Sequence, residues 1–504
     1  MNAHQSALPI LIILAPLLTS FALPVLGWWY RPAVFPVALI ALTVSCGTAI
    51  VAAREVLVNG PLHYYLGGWA PPWGVELRID SLGALMLLLI TVLTLLIGIY
   101  SKKSVVKEIP SKDVPFYSVY LVMVAGLAGL VSTADMFNLY VFLEITSLAS
   151  YALVSIGGGA AVVSAFRYVI LGTVGAAFYL LAVGYLYSMT GSLNMADLSR
   201  ILPGLYDSTT VLVGFAFFVI GISIKMALFP MHTWLPGAYA NAPSAVSALL
   251  AATSTKVAAY VLVRVMFFVF EPRFSIEVIP VTTLLGWMGA VAMILGSVMA
   301  IAQSDFKRML AYSSVAQIGY IVLGIGLANT AGFTGGILHL INHAFMKGGL
   351  FLVAGAIVYR TGLREIREFR GLSLKMPVTA ATFAVCALAM VGIPPTGGFF
   401  SKFYLILGAI DAGNWVFVGV IVLSSVLALA YLANVLRYMY FPGEAAAGRG
   451  GELPVPGPII RDEVPWSMLG PMLAVAAGIV LLGVFSGEVV GQFIEPSTPD
   501  GLAR

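Results

Sequence analysis

The chain has 504 residues, of which 60% are hydrophobic and 10% are charged, and its mean hydropathy is +0.99. A soluble protein of this size carries roughly 25% charged residues. This composition therefore excludes a soluble globular fold and predicts a polytopic helical membrane protein. The formal net charge of +4 reflects mostly the basic residues of the loops between membrane crossings. It is therefore not evidence for nucleic acid as a partner.

Apolar runs give the predicted number of membrane crossings. Each crossing needs about 20 mostly apolar residues. About fourteen such runs occur, centred near residues 17, 43, 91, 123, 145, 175, 220, 257, 292, 320, 346, 387, 425 and 478. The first run follows MNAHQSALP, which has no lysine or arginine, and no small-residue cleavage pattern follows it, so we interpret it as a retained helix. The predicted fold class is an all-α polytopic membrane protein.

The loop charges predict an orientation, because lysine and arginine collect in cytoplasmic loops. If fourteen helices alternate, sixteen basic residues, including Lys307 and Arg449, fall on one side. Nine of them lie in SKKSVVKEIPSKD (101–113) and YRTGLREIREFRGLSLK (359–375). The other side has Arg54, Arg78, Arg200, Arg273 and Arg504. We therefore expect a multi-pass protein of a bacterial or archaeal inner membrane with both termini outside the cytoplasm.

The chain carries no motif for a bound cofactor. Cys46 and Cys386 both fall inside apolar runs, and no CxxC pair, Walker loop or GxGxxG motif occurs. These absences give no ligand set for a metal, an iron–sulfur cluster, ATP or a dinucleotide. We expect no cofactor and no metal in this chain, and we expect any redox chemistry to belong to partner subunits.

A few charged residues lie inside the apolar runs, where a charge at mid-bilayer costs about 2.5–3.5 kcal/mol on insertion scales. Such residues face the protein interior, pair with each other and usually mark an ion path. Arg264 is nearer a helix end than the others, and snorkelling of its side chain explains it. The remaining intramembrane charges are Glu144, Lys225, Lys256, Lys347 and Lys402.

Two histidines accompany one of these lysines. In HLINHAFMKGGLF, His339, His343 and Lys347 are spaced i, i+4 and i+8, which places them on one face of a helix. A single histidine on an apolar face is usually a core residue whose hydrogen bonds are satisfied. Two histidines and a lysine in register within one apolar run indicate a hydrated proton path.

Prolines lie close to two of the intramembrane lysines. Pro230 follows Lys225, and the proline pair of GIPPTGGFFSKFY (392–404) precedes Lys402. Proline breaks a helix, and transporters often carry helix breaks at corresponding positions of two repeats. Two unrelated proline kinks are the alternative.

A repeat of five helices would place its second copy inverted in the membrane, because five is odd. The predicted domains on this basis are residues 1–113 (the first three helices and a cytoplasmic loop), 114–272 (the first repeat), 273–440 (the second repeat) and 441–504 (a loop and the last helix).

The run LFPMHTWLPGAYANAPSAVSALLAATSTKVAAYVL, with NLYVFLEITSLASYALVS before it and NHAFMKGGLFL after it, resembles the proton-conducting membrane subunits of respiratory complex I. It is equally similar to the related subunits of Mrp-type cation/proton antiporters and membrane-bound hydrogenases. The resemblance implies fourteen helices, inverted five-helix repeats, and broken seventh and twelfth helices.

The resemblance also implies the residues of a proton path. The family's glutamate–lysine pair corresponds to Glu144 and Lys225, and the lysine of its eighth helix corresponds to Lys256. The polar face of the eleventh helix corresponds to His339, His343 and Lys347, and the terminal lysine of the twelfth helix corresponds to Lys402. Tyr239 follows WLPGA where a number of relatives have histidine, so a role of that histidine in proton uptake does not carry over.

Within the superfamily, the chain length and the NLYVFLEI segment are most similar to the Mrp D-type subunit. The first alternative is a redox-driven proton-pumping subunit of a complex I or of a membrane-bound hydrogenase. A free-standing solute carrier and a structural subunit are the further alternatives. The expected partners are other membrane subunits of such a complex, the lipid bilayer, protons, and Na⁺ or K⁺.

The residues predict a mechanism as well. Burial lowers the pKa of a lysine, and an adjacent carboxylate raises it. We therefore predict that Lys225 holds its proton while Glu144 is close and releases it toward Lys256 when Glu144 withdraws. The proton would then pass by water and the histidines to Lys347 and Lys402. One pKa unit is about 1.4 kcal/mol, so a modest change at one ion pair can gate transport.

Overall fold

The computed structural model describes residues 4–441 and 461–502. Its α-helices in chain order are α1 (Leu8–Trp29), α2 (Val34–Asn59), α3 (Ser81–Glu108), α4 (Asp113–Ser132), α5 (Met136–Ser155), α6 (Ala160–Thr190), α7 (Met195–Ile201), α8 (Thr209–Lys225), α9 (Trp234–Asn241), α10 (Ser244–Ala252), α11 (Ser254–Arg264), α12 (Glu271–Arg273), α13 (Val281–Ile301), α14 (Phe306–Gly326), α15 (Thr330–Thr361), α16 (Leu372–Lys375), α17 (Pro377–Val391), α18 (Gly397–Asp411), α19 (Trp415–Tyr440), α20 (Trp466–Val484) and α21 (Ser486–Val489). Arg449, Arg504 and residues 442–460 of the predicted C-terminal segment lie outside the described residues.

Twelve helical segments of the described ranges are long and apolar enough to cross a membrane, with α10, α11 and the turn Val265–Val269 counted as one. The shorter apolar helices α8 and α17 are each followed, after an interruption, by a second short helix. The predicted helical membrane fold is thus confirmed. The count of fourteen crossings stays a prediction, because it requires each interrupted pair to be counted as one crossing.

Both interruptions lie where the sequence predicts them. α8 ends at Lys225 and α9 begins at Trp234, and the break contains Pro230. The break between α17 and α18 contains Pro394 and Pro395. Carbonyl groups freed at membrane depth need a donor from the protein. The indole of Trp234 donates to the Ile224 carbonyl over 2.9 Å in the first break.

The helices differ in the fraction of their residues that is buried inside the chain. Nine-tenths of the residues in the central part of α15 and of the α10–α11 segment are buried, whereas less than two-fifths are buried in α1, α6 and α19. The latter helices expose leucine, valine and phenylalanine side chains, as expected for surfaces that face lipid. The intramembrane lysines at positions 256 and 347 therefore lie on two of the three most enclosed segments, the third being α14.

Glycines let α13 and α14 approach closely. A Cβ atom on Gly319 would lie 2.6 Å from the Gly289 carbonyl oxygen, and a Cβ on Gly289 would lie 2.7 Å from the Gly319 carbonyl oxygen. Small residues at such interfaces are how membrane helices bring their backbones into contact. This packing fixes α14, which supplies partners to the polar residues of α15.

We predict that Gly319→Ala lowers the free energy of unfolding by about 1–3 kcal/mol, because the added methyl group overpacks the contact. The measurement is thermal unfolding of the detergent-solubilised chain. Gly184→Ala in α6 is the matched control, because a Cβ there meets nothing within 4 Å. Equal melting temperatures for the two variants would contradict the close contact.

A small sheet corrects the purely helical expectation. Strands β1 (His4–Gln5), β2 (Leu62–Tyr65) and β3 (Glu76–Ile79) pair in that order, β1–β2 parallel and β2–β3 antiparallel, with Leu62 opposite Ile79. The strands are two to four residues long. Runs this short have too few residues to show an alternating pattern, which is why the sequence did not indicate them.

A buried carboxylate ties this sheet to the loop before α7. Glu76 Oε1 lies 2.5 Å from His63 Nδ1, and Glu76 Oε2 accepts a 3.1 Å hydrogen bond from the Asn194 side chain. Asn194 in turn caps the N-terminus of α7. Burial alone would raise the pKa of the Glu76 carboxyl, but the hydrogen bonds from His63 and Asn194, together with the nearby charges of His63 and Arg78, lower that pKa.

A carboxyl with a depressed pKa stabilises the fold above its unfolded-state pKa of about 4.3 and loses that contribution as the pH falls. We therefore expect hydrogen exchange in residues 62–79, corrected for the intrinsic rate, to accelerate when the pH is lowered from about 6 to about 3, because the contribution is lost below the unfolded-state pKa. In Glu76→Gln, which cannot ionise, the protection should be independent of pH over this range. The same acid-induced acceleration in that variant would contradict the assignment to Glu76.

Candidate functional site

An ion pair between α5 and α8 joins the first two predicted site residues. Lys225 Nζ lies 3.1 Å from Glu144 Oε1 and donates a 2.7 Å hydrogen bond to Ser147 Oγ. Ser147 lies one turn after Glu144 on α5, so one helix supplies both partners. The Lys225 side chain is 8% exposed and that of Glu144 is 24% exposed. The carboxylate can thus be reached from outside the chain, whereas the amine is enclosed.

Lys256 lies at the beginning of α11 and is almost completely buried. Its ammonium donates to the carbonyl of Ala251 and lies 3.3 Å from Thr255 Oγ1. The joint between α10 and α11 is at Thr253, whose backbone is not helical. The partners that the structure gives Lys256 are a carbonyl and a hydroxyl, and neither carries a charge.

The three predicted residues of α15 lie on one buried face. The rings of His339 and His343 are 6.1 Å apart and nearly parallel. His339 Nδ1 is 2.9 Å from Ser401 Oγ, and its Nε2 is 3.0 Å from Gln317 Oε1. Neither ring nitrogen of His343 has a hydrogen-bond partner among the described residues. The two histidines therefore have different surroundings, one held on both sides and the other free to take a partner.

Lys347 completes that face. Its ammonium donates to the Leu310 carbonyl over 2.9 Å and to the hydroxyl of Ser313. Both partners belong to α14, the helix that the glycine contacts with α13 fix in place. Like Lys256, the lysine is fully buried and has neutral acceptors.

Lys402 lies on α18 directly after the second helix break. Its ammonium donates to the carbonyls of Met390 (2.8 Å) and Val391 (3.0 Å) and to Ser425 Oγ (3.0 Å). It also lies 4.8 Å from the centre of the Tyr320 ring, which is 5.0 Å from the His339 ring. Tyr320 thus connects the lysine of α18 to the histidine face of α15.

Both ends of this set reach the surface of the chain. Glu144 is partly exposed at one end. At the other end, Lys402 lines a cavity of about 270 Å³ whose wall includes Phe403 and Val422, and both of these side chains are about half exposed. A neighbouring protein could therefore contact either end without entering the core.

The chemistry of the site follows from its charges. Burying ammonium groups opposite neutral acceptors is costly, and Glu144 is the carboxylate paired with one of these lysines in the described part of the chain. An amine that gains and loses a proton suits such a site better than a permanent charge does. The arrangement can hold and pass protons.

Several polar residues of the site were not identified from the sequence. Gln317 could have been identified from the sequence, since it is a lone amide in an apolar helix. The serines had none, because hydroxyls that bond their own helix are common in membrane helices. The missed residues are Ser147, Ser313, Gln317, Tyr320, Ser401 and Ser425.

The structure also changes the interpretation of two basic residues. Arg264 does not simply snorkel, because its guanidinium pairs with Asp80 at the N-terminus of α3 and bonds the Tyr260 hydroxyl. Lys307, counted as a loop residue in the orientation argument, is buried at the start of α14 and donates to the Ala242 carbonyl over 2.8 Å.

Comparisons with known proteins show the family of the chain. The family described as NADH:quinone oxidoreductase/Mrp antiporter, TM, matches residues 133–428. The N-type subunit of the NADH-quinone oxidoreductase of Desulforudis audaxviator (strain MP104C) is 46% identical over 502 residues, 99% of each chain. The D-type subunit of the Na⁺/H⁺ antiporter of Alkalihalophilus pseudofirmus is 31% identical over 452 residues, 89% of this chain and 90% of the relative.

A solved structure gives the same result for the fold. A chain of the membrane-bound sulfane sulfur reductase, an archaeal respiratory membrane complex, superimposes with a TM-score of 0.88 at 30% identity, covering 97% of both chains. The resemblance stated from the sequence motifs is confirmed. The chain belongs to the NADH:quinone oxidoreductase/Mrp antiporter transmembrane family.

Proposed function

We propose that this chain is the proton-translocating membrane subunit of a redox-driven, complex I-like assembly. The observation that carries the transport role is the Glu144–Lys225 ion pair, followed by a set of buried lysines and histidines with neutral partners. The relative of the N type, similar over the full length of both chains, supports the redox-driven assembly.

This choice differs from the subtype that the sequence favoured. The Mrp D-type interpretation rested on chain length and the NLYVFLEI segment, and relatives of that type are 31–32% identical over 78–89% of the chain. The full-length match to a quinone oxidoreductase subunit is at 46% identity. The first alternative is therefore at least as well supported, and a cation-driven Mrp subunit is the second candidate function.

The first step of transport takes place at the ion pair. With Glu144 at 3.1 Å, the proton on Lys225 is favoured by the adjacent negative charge. Movement of the partly exposed carboxylate toward a neighbouring subunit would remove that charge, while Ser147 would keep a hydrogen bond to the amine. Lys225 would then release its proton inward.

The inner residues carry the proton across the second half of the chain. Lys256 receives it, and the α15 face of His339, His343 and Lys347 passes it on to Lys402. The unpartnered nitrogens of His343 are of the kind that buried water commonly satisfies, and such water would complete the relay. Moving a proton across a membrane potential of 100 mV changes its free energy by about 2.3 kcal/mol. Pairwise contacts of this kind contribute free energies of similar size.

We predict that Glu144→Gln, Lys225→Ala and Lys402→Ala each abolish proton transport while the chain still accumulates in the membrane. The measurement is ΔpH formation in everted vesicles that contain the assembled complex. Lys103→Ala is the matched control, because Lys103 is an exposed lysine near the C-terminal end of α3 and its loss should leave transport unchanged. Normal transport in all three site variants would contradict the proposal.

The two histidines should respond differently to replacement. His343→Leu removes a ring that has no hydrogen-bond partner among the described residues, so it should slow transport while changing the free energy of unfolding by less than about 1 kcal/mol. His339→Leu leaves the Gln317 side-chain oxygen without its partner, whereas Ser401 keeps its bond to the Gly398 carbonyl, so the expected cost is about 1–3 kcal/mol for the one unsatisfied group. Thermal unfolding in detergent and vesicle transport measure the two effects, and wild-type transport in His343→Leu would remove it from the relay.

The driving reaction can be tested with the chain and its co-encoded partner subunits in everted vesicles. A ΔpH that needs NADH, formate or another electron donor and is indifferent to Na⁺ is expected for the redox-driven assembly. A ΔpH that collapses on addition of Na⁺ only when all partners are present would favour the Mrp-type function instead. Lys225→Ala should abolish either signal.

A further inference from the structure

An apolar groove with a volume of about 390 Å³ lies between α17 and α20. Its apolar wall residues are Pro377, Val378, Ala381 and Val385 of α17, and Leu473 and Ala476 of α20. Ala381 and Leu473 are exposed on the outer surface of the chain, so the groove opens toward the lipid. We call it the α17–α20 groove.

The walls of the groove offer apolar contact and little else. Thr382 also lines it, but the Thr382 hydroxyl donates to the Val378 carbonyl of its own helix over 2.9 Å. A polar molecule would therefore find no free hydrogen-bonding side chain along these walls in the described part of the chain. A hydrocarbon chain fits such a surface, because each buried methylene group contributes favourably to binding.

One end of the groove is basic. Arg461 lines it and is exposed, and none of the ion pairs among the described residues involves Arg461. The next two residues are already bound, since Asp462 pairs with Arg360 and Glu463 accepts hydrogen bonds from two backbone N–H groups at the start of α17. The segment is thus fastened by its carboxylates while its arginine lacks a counter-charge.

A second basic residue lies at the same end. The backbone N–H of Asp462 donates to the Lys375 carbonyl over 2.8 Å, which places Lys375 beside the start of the groove. Lys375 is exposed and takes part in none of the ion pairs of the described residues. Trp466, the first residue of α20, is 77% exposed, as is typical of tryptophan at the level of lipid headgroups.

The combination of apolar walls and a basic end selects one kind of occupant. A neighbouring apolar helix would cover the walls but leave both cations without a counter-charge. An anionic phospholipid supplies a hydrocarbon chain for the walls and a phosphate for the cations. The basic end also lies on the side predicted to be cytoplasmic, where anionic lipids give the membrane surface a negative potential.

We propose that the α17–α20 groove binds an acyl chain of an anionic phospholipid and that Arg461 and Lys375 bind its phosphate group. The site is independent of the reaction that drives transport. It has a structural consequence, because the last carbonyls of α17, those of Met390 and Val391, bind Lys402. A lipid along α17 would stabilise the helix that holds the last lysine of the candidate site.

The test measures lipid binding to the full chain in detergent by native mass spectrometry. Phosphatidylglycerol is the anionic probe, and phosphatidylcholine with the same acyl chains is the neutral one. We expect the Kd for phosphatidylglycerol to be lower by about tenfold or more, the scale of two basic side chains at an anionic surface. Equal Kd values for the two lipids would contradict recognition of the headgroup.

Arg461→Gln tests the basic end of the groove. We expect this variant to raise the Kd for phosphatidylglycerol about fivefold, the scale of one basic side chain, and to leave the Kd for phosphatidylcholine unchanged. Arg167→Gln is the matched control, because Arg167 is an exposed arginine of α6, outside the groove. Wild-type binding of phosphatidylglycerol by Arg461→Gln would overturn the proposal.

Ala381→Phe tests the walls. The new ring would fill the groove from an exposed position, so both lipids should bind more weakly. Ala177→Phe is the control, since Ala177 is an exposed alanine of α6. The melting temperature without added lipid shows whether each variant is folded, and if Ala381→Phe is not, Arg461→Gln decides. Undiminished binding by a folded Ala381→Phe would show that the acyl chain lies elsewhere and would overturn the site.

The same comparison in the assembled complex tests whether a partner subunit covers the groove instead. We expect the purified wild-type complex to retain more phosphatidylglycerol than the Arg461→Gln complex after the same detergent wash. Equal retention by the two complexes would mean that a partner covers the groove or that lipid does not use it, and either result overturns the proposal.

Discussion

The ion pair between Glu144 and Lys225 is the interaction on which the account of this chain depends. Lipid offers no partner for a charge or for a free backbone group, so polar groups at membrane depth must be satisfied by the protein or by water that the protein encloses. Glu144 is partly exposed and Lys225 is enclosed. A change outside the chain can therefore alter the field at an amine inside it, which is what coupling to a partner subunit requires.

The irregular helices follow from the same constraint. Lys402 is bound by carbonyls at the end of α17, and Lys256 by a carbonyl next to the joint between α10 and α11. An intact helix uses its own carbonyls, so an interruption supplies acceptors at a depth where none would otherwise be free. These acceptors are neutral, which holds a lysine in place without fixing its charge as a carboxylate would.

Much of this arrangement could be predicted from the sequence, because apolar runs and the charges inside them carry a strong signal. The membrane fold, the interruptions at Pro230 and Pro394, and the placement of Glu144 beside Lys225 followed from hydropathy, proline chemistry and family resemblance. Residues at i, i+4 and i+8 of α15 lie on one face as the helical period requires.

The parts that were missed depend on contacts between distant segments. Gln317 and Ser401 approach His339 from two different helices, and nothing local in their sequences marks the pairing. Lys307 was read as a loop residue, because a charge near the end of an apolar run normally lies in solvent. The short strands around Glu76 are fixed by pairing between residues 4–5, 62–65 and 76–79, and their local patterns are too brief to read.

The measurement that tests the central claim most directly is a double-mutant cycle on the ion pair, with proton transport by the assembled complex as the readout. Glu144→Asp and Lys225→His keep a carboxylate opposite a group that can gain and lose a proton but change their separation, so each is expected to leave transport that can be measured. If the pair controls proton release, the two effects should be non-additive, with a coupling of about 1 kcal/mol or more, as expected for residues in contact. Effects that add to within about 0.5 kcal/mol would show that the two residues act independently and would contradict the account.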